Sequence, residues 1–115
     1  AFDNGIEYSL IDRSQISKER FNNDYMVFMG GDKGRVDIEN KDSQNDLSIL
    51  IISDSIDNAI IPMLVPHFNK IYNFDLRHNN INIINEINSI KPDIVLLLGL
   101  PGGYLDSTSE IFRFN

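Results

Sequence analysis

The chain has no cysteine. That excludes disulfides, thiolate nucleophiles and thiolate metal sites, while leaving the compartment open. Histidine is nearly as scarce. The two present, His67 and His78, are well separated and make a poor metal site, so neither a metal nor a cofactor is expected. Long apolar runs are missing as well. The longest, "IVLLLGL" at 94–100, has the length of a buried strand and falls well short of the ~20 residues that cross a bilayer. Positive charge is in short supply: 10 Lys and Arg stand against 17 Asp and Glu, a net charge of −7. Nucleic acids and anionic membranes reward a basic face, so neither is expected as a partner. The opening "AFDNGIEYSL" lacks the basic start and apolar core of a signal peptide, and it lacks an initiator Met. The expectation is a soluble piece, processed or excised from a larger protein whose targeting segment went with the rest.

What is present suits one compact domain. The 115 residues are 42% hydrophobic and 23% charged, ordinary proportions for a globular protein. Isoleucine and asparagine are abundant, which fits an AT-rich genome better than any function, and there is no internal repeat. Residues 1–46 read as an irregular or hairpin segment. Within it, "IDRSQISKERF" suggests a short helix, and two apolar stretches flank Gly30-Gly31-Asp32-Lys33-Gly34 as a hairpin or tight loop. "KDSQND" at 41–46 is a polar linker.

Residues 47–100 are regular. "LSILIIS" is a continuous apolar run rich in β-branched residues, the mark of a strand buried on both faces. Ile56, Ala59, Ile60, Met63 and Leu64 then recur at helical spacing, with Pro62 forcing a late start or a bend and Pro66 ending the helix. "KIYNFDL" is a second strand, "NNINIINEINSI" a second helix with Ile84, Ile87 and Ile90 three apart, and "KPDIVLLLGL" a third strand. This order predicts a three-layer, flavodoxin-like α/β fold, a βαβαβ parallel sheet with right-handed crossovers. Residues 101–115 form a tail.

In such sheets ligands bind beyond the carboxyl ends of the strands. Three loops reach that edge, carrying Asp54-Ser55, Asp75-Leu76-Arg77-His78, and Gly99 to Gly103. A serine at a strand-to-helix turn projects outward, where helix amides can hold an oxyanion, so Ser55 is placed as a nucleophile. Ser and Asp are also the favoured helix N-caps, and on pattern alone the cap is the commoner role. A serine nucleophile needs a base. His67 follows the first helix and falls roughly 15 Å away, at the opposite end of the sheet. His78 is on the correct edge, although a lone loop histidine is more often solvated. Asp75 and Arg77 have the alternative of pairing with each other.

Four blocks in register resemble a known family. "DYMVFMGGDKGRVDIEN", "LIISDSIDNAIIPMLVPHFNKIYNFDLRH" and "KPDIVLLLG" are similar to the C-terminal half of the DHHW family. These are bacterial SGNH-hydrolase-like proteins related to those that O-acetylate alginate. The family pattern is a Phe-Leu-Gly-Gly-Asn turn, a Lys-Asp-Ser-Tyr block, a Pro-Phe-Leu…Pro-His-Tyr run and an Asp-Pro-Arg-Tyr block. Its serine falls on Ser55. Asp32 stands where the family usually has Asn, Ile56 where Tyr is common, and Leu76 and His78 replace Pro and Tyr around Arg77. The family's upstream Asp-His-His-Trp block, which supplies Asp and His, does not occur in these residues.

The resemblance implies part of a serine acyl-esterase or O-acetyltransferase, inactive by itself, with an acyl donor and a cell-surface carbohydrate as partners. It implies an extracytoplasmic parent protein. Ser55 would be catalytic, within a neighbourhood of Asp54, Asn58, Asp75, Arg77 and His78. An exposed sheet edge, left bare by the absent half, is expected to favour homodimers. The alternative is a non-catalytic α/β binding or structural module in which Ser55 only caps a helix. A third reading, a receiver-like pocket binding Mg²⁺ or phosphate through Asp54, Asp57 and Asp75, is opposed by the irregular region before Leu47. "GGDKG" lacks the spacing of a phosphate loop and reads as a turn.

Overall fold

A computed structural model describes residues 2–3, 6–7, 9–16, 27–31, 33–54, 56–75, 77–78 and 81–99. Eight elements follow along the chain: β1 (Phe2–Asp3), β2 (Ile6–Glu7), β3 (Arg35–Glu39), β4 (Ser48–Ser53), α1 (Asp57–Leu64), β5 (Lys70–Asp75), α2 (Ile83–Ile90) and β6 (Ile94–Leu98). The strands form one sheet in the order β2-β1-β3-β5-β4-β6. β4 is flanked by β5 and β6, both parallel to it. β3 runs antiparallel along β5, and β1 and β2 continue that edge. The fold is therefore the expected α/β architecture, with antiparallel strands added to a parallel βαβαβ core.

The two crossover helices cover opposite faces. On one side Ile61 of α1 packs with Ile49, Ile51, Ile71, Val36, Ile38 and Met29. On the other, Ile83 of α2 packs with Leu50, Ile52 and Phe74. Alternate residues of β4 serve alternate faces, which is why its run is apolar without a break.

α1 turns a different stripe inward from the one its apolar spacing suggests, and α2 differs from its expected stripe at one position. In α1 the buried residues are Asp57, Asn58 and Ile61, while Met63 is 71% exposed. The inward face begins with two polar side chains, so a search for apolar spacing slides onto the neighbouring stripe. In α2 it is Ile83, not Ile84, that is fully buried, with Ile87 and Ile90 beside it. Asn82 caps α2 by accepting from the Asn85 N–H at 3.0 Å. Lys91 closes it in the left-handed region at φ 52°, its N–H donating to the Ile87 carbonyl at 2.8 Å. Pro62 lies inside α1, where it withholds the amide that would reach the Asn58 carbonyl. A 3-10 turn, Val65–His67, follows.

β6 has the composition of a buried strand but sits at the sheet edge, with Ile94, Val95 and Leu97 more than 40% exposed. Among the described residues no strand pairs with its outer side. Phe28 bridges Ile11 rather than β3, and the described residues Gly30, Gly31, Lys33 and Gly34 lie outside any strand. Gly30 and Gly31 take φ of 67° and 86°, which glycine adopts without steric cost. In "IDRSQISKERF", where a short helix is expected, the described residues include one 3-10 turn, Arg13–Gln15, and residues 17–26 lie outside the described set.

Candidate active site

The register of the three parallel strands levels their carboxyl ends, since Ser53 lies opposite both Asp75 and Leu98. The loops that leave these ends share one edge of the sheet. Ser55 itself lies outside the described residues, as do Asp32 and Leu76.

Asp54 bridges the edge. Its N–H donates to the Leu98 carbonyl at 3.3 Å, tying the end of β4 to that of β6. Its carboxylate accepts from the Ile56 N–H at 3.0 Å, and its carbonyl from the Asp57 N–H at 3.3 Å. The first turn of α1 is thus supplied with acceptors by Asp54. Asn58 is buried beneath this turn.

Asp75 is also buried. Its carboxylate accepts from the Arg77 backbone N–H at 2.9 Å and from Nε at 3.0 Å, and Nη2 reaches its second oxygen. The pairing of Asp75 with Arg77, one of the two alternatives open from sequence, is the one observed. The His78 backbone N–H donates to the Asp75 carbonyl at 3.1 Å, and its residue is exposed. His67 is at the far end of the sheet beside the start of β5, as expected, its carbonyl accepting from Asn45 Nδ2 at 3.1 Å.

Two features of this edge were not foreseen. Gly34 belongs to it, because β3 is antiparallel to β5 and so begins where β5 ends. The Asp75 N–H donates to the Gly34 carbonyl at 3.0 Å. Behind the edge lies a buried polar ring. Ser53 Oγ contacts Asp57 Oδ2, and Asn73 Oδ1 at 3.0 Å, while Asn73 Nδ2 contacts the same Asp57 oxygen. All three residues are almost completely buried. Burial raises the Asp57 pKa above the usual 3.8, with the nearby Asp75 charge adding to the rise. Bonds from Ser53, Asn73 and the Asn58 amide act in the other direction. No sequence pattern announces this ring, since its members are 4, 16 and 20 residues apart.

Among the described residues no group of three or more His, Asp or Glu is placed to hold a metal ion. Nor is any helix among them long and apolar enough to cross a membrane. The two hollows formed by described residues, about 210 and 350 Å³, lie along β3, around Ile38 and Glu39, away from the carboxyl edge.

Fold and site together define a doubly wound α/β protein with polar loops gathered at the carboxyl ends of its parallel strands. The chain belongs to the DHHW protein family, whose model matches residues 2–74. It is similar to a DHHW family protein from Eubacterium siraeum, with 25% identity and a TM-score of 0.73 over 93% of this chain and 33% of that one. It is also similar to Bacillus cereus PatB1, at 26% identity and a TM-score of 0.68 over 79% of this chain and 29% of that one. PatB1 with a sulfonyl adduct matches at 24% identity and a TM-score of 0.67, over 79% of this chain and 31% of that one. The chain thus spans about a third of the length of each. No curated protein matches it.

Proposed function

We propose that this chain is the nucleophile-bearing part of an SGNH-like serine acyl-esterase or O-acyltransferase that modifies cell-surface carbohydrate outside the cytoplasm. Ser55 is the nucleophile. Its Oγ attacks the acyl carbonyl, an ester forms on the serine, and the donor's oxygen leaves with a proton. A sugar hydroxyl or water then attacks that ester and restores the Ser55 hydroxyl. An Asp and a His from an Asp-His-His-Trp block outside these residues orient and perform the proton transfers. Backbone amides near Ser55, other than the two that Asp54 engages, hold the oxyanion.

The observation that carries this reading is at the start of α1. Asp54 supplies acceptors to the Ile56 and Asp57 amides, so those two do not need the Ser55 hydroxyl as a cap. Family membership and the position of the turn at the carboxyl edge support it further. A sulfonyl adduct on PatB1 is in keeping with a nucleophile on this fold.

The test is labelling with a fluorophosphonate, with the modified peptide located by mass spectrometry. The chain, its Ser55→Ala variant, and the chain joined to an Asp-His-His-Trp region from a family member are compared. Labelling of Ser55 in the joined protein, lost in Ser55→Ala, is expected. Absence of labelling in both the isolated and the joined protein would leave the non-catalytic module as the better reading.

A further inference from the structure

We infer that Asp57 is held as a neutral carboxylic acid, closing a hydrogen-bonded ring with Ser53 and Asn73 that locks the ends of β4 and β5 to the first turn of α1. The argument is a count of protons. Three contacts join the three side chains: Ser53 to Asp57, Ser53 to Asn73, and Asn73 to Asp57. Each needs one proton. The Ser53 hydroxyl supplies one. The Asn73 amide supplies one more, because its nitrogen faces only one of its two partners. Exchanging the amide oxygen and nitrogen moves that proton to the other contact and leaves the total at two. An ionised Asp57 adds none, and two buried oxygens are then pressed together with nothing between them. A protonated Asp57 supplies the third, and every contact is satisfied in one circular sense.

The surroundings favour the same state. Among the described residues no cation lies within ion-pair distance of Asp57. The charged group acting on it is Asp75, at the end of β5 and already answered by Arg77. Desolvation works against a charge at this depth as well. The ring flanks Ser55 on both sides in sequence, through Ser53 and Asp57. The inference does not depend on Ser55 being a nucleophile.

The sign of the pH dependence follows. A carboxyl whose pKa is raised by folding contributes stability that is complete below the unfolded value of 3.8 and is lost as pH rises through the folded value. Asp12 and Asp93, whose pKa values are lowered, act oppositely and lose their contribution as pH falls.

The experiment compares the full chain with Asp57→Asn and Asp57→Ala. Infrared spectra at about pH 5, above the usual aspartate range, are expected to show a protonated-carboxyl band in the wild type that is absent from Asp57→Asn. Urea midpoints are expected to fall with rising pH in the wild type relative to Asp57→Asn, because the amide nitrogen carries two protons at every pH and, with the Asn73 amide turned over, donates to both of its neighbours. Asp57→Ala, which opens the ring, is expected to lose stability at all pH values. Absence of the band, or an Asp57→Asn variant as unstable as Asp57→Ala throughout, overturns the inference. Carbon-13 NMR of labelled aspartate in the wild type reads the same proton if the variants do not fold. An Asp57 carboxyl that titrates at or below 3.8 overturns it equally.

Discussion

At Asp75 a carboxylate lies almost wholly out of water with the Arg77 guanidinium folded over it. Removing that guanidinium would strand a buried charge. For a fully buried pair the loss is about 3–5 kcal/mol. Here the arginine side chain is 38% exposed, so Arg77→Ala is expected to cost about 1–2 kcal/mol, read as a shift in urea midpoint. Arg77→Lys should recover only part of this, since an ammonium cannot reproduce the two-nitrogen grip. This pair was open to sequence reasoning because its members stand two apart at a strand end. Asp57 was not: an acidic residue near the start of a helix ordinarily faces solvent and favours the dipole. Nothing in the linear order says that Asn73, sixteen residues on, will be brought against it.

Among the elements, the strands and helices of the βαβαβ core were legible because each carries its own signal. Unbroken apolar runs mark β4 and β6, and Asn82 and Pro92 bracket α2. Which stripe of α1 turns inward was not legible. That depends on where the preceding strand ends and on the polar ring that claims Asp57. The pairing of β3 was hidden too, since "RVDIE" alternates as any half-buried strand does and does not name its neighbour. One element invites improvement. Lys91 holds a left-handed conformation at the end of α2, where a side chain costs roughly 1 kcal/mol that glycine avoids. Lys91→Gly is therefore expected to raise stability by about 0.5–1 kcal/mol, measured by equilibrium urea unfolding. A decrease would mean that the lysine side chain contributes more than its backbone strain removes.

For the whole molecule, the chain covers about a third of its structural relatives, and the outer edge of β6 shows half-exposed Ile94, Val95 and Leu97. A flat apolar edge of this kind recruits another strand. We expect the chain to self-associate through β6, with sedimentation velocity showing dimer at high protein concentration and Val95→Lys abolishing it. A monomer at every concentration would refute this. The strand order has another consequence, in time rather than space. β5 lies between β3 and β4, so β3 cannot join the parallel core until Asp75 has been made. During synthesis at about 5–20 residues per second, β3 waits on the order of seconds for its partner, and β1 waits on β3. The β4–α1–β5 unit can close first, so the part of the molecule written earlier is added to the sheet later.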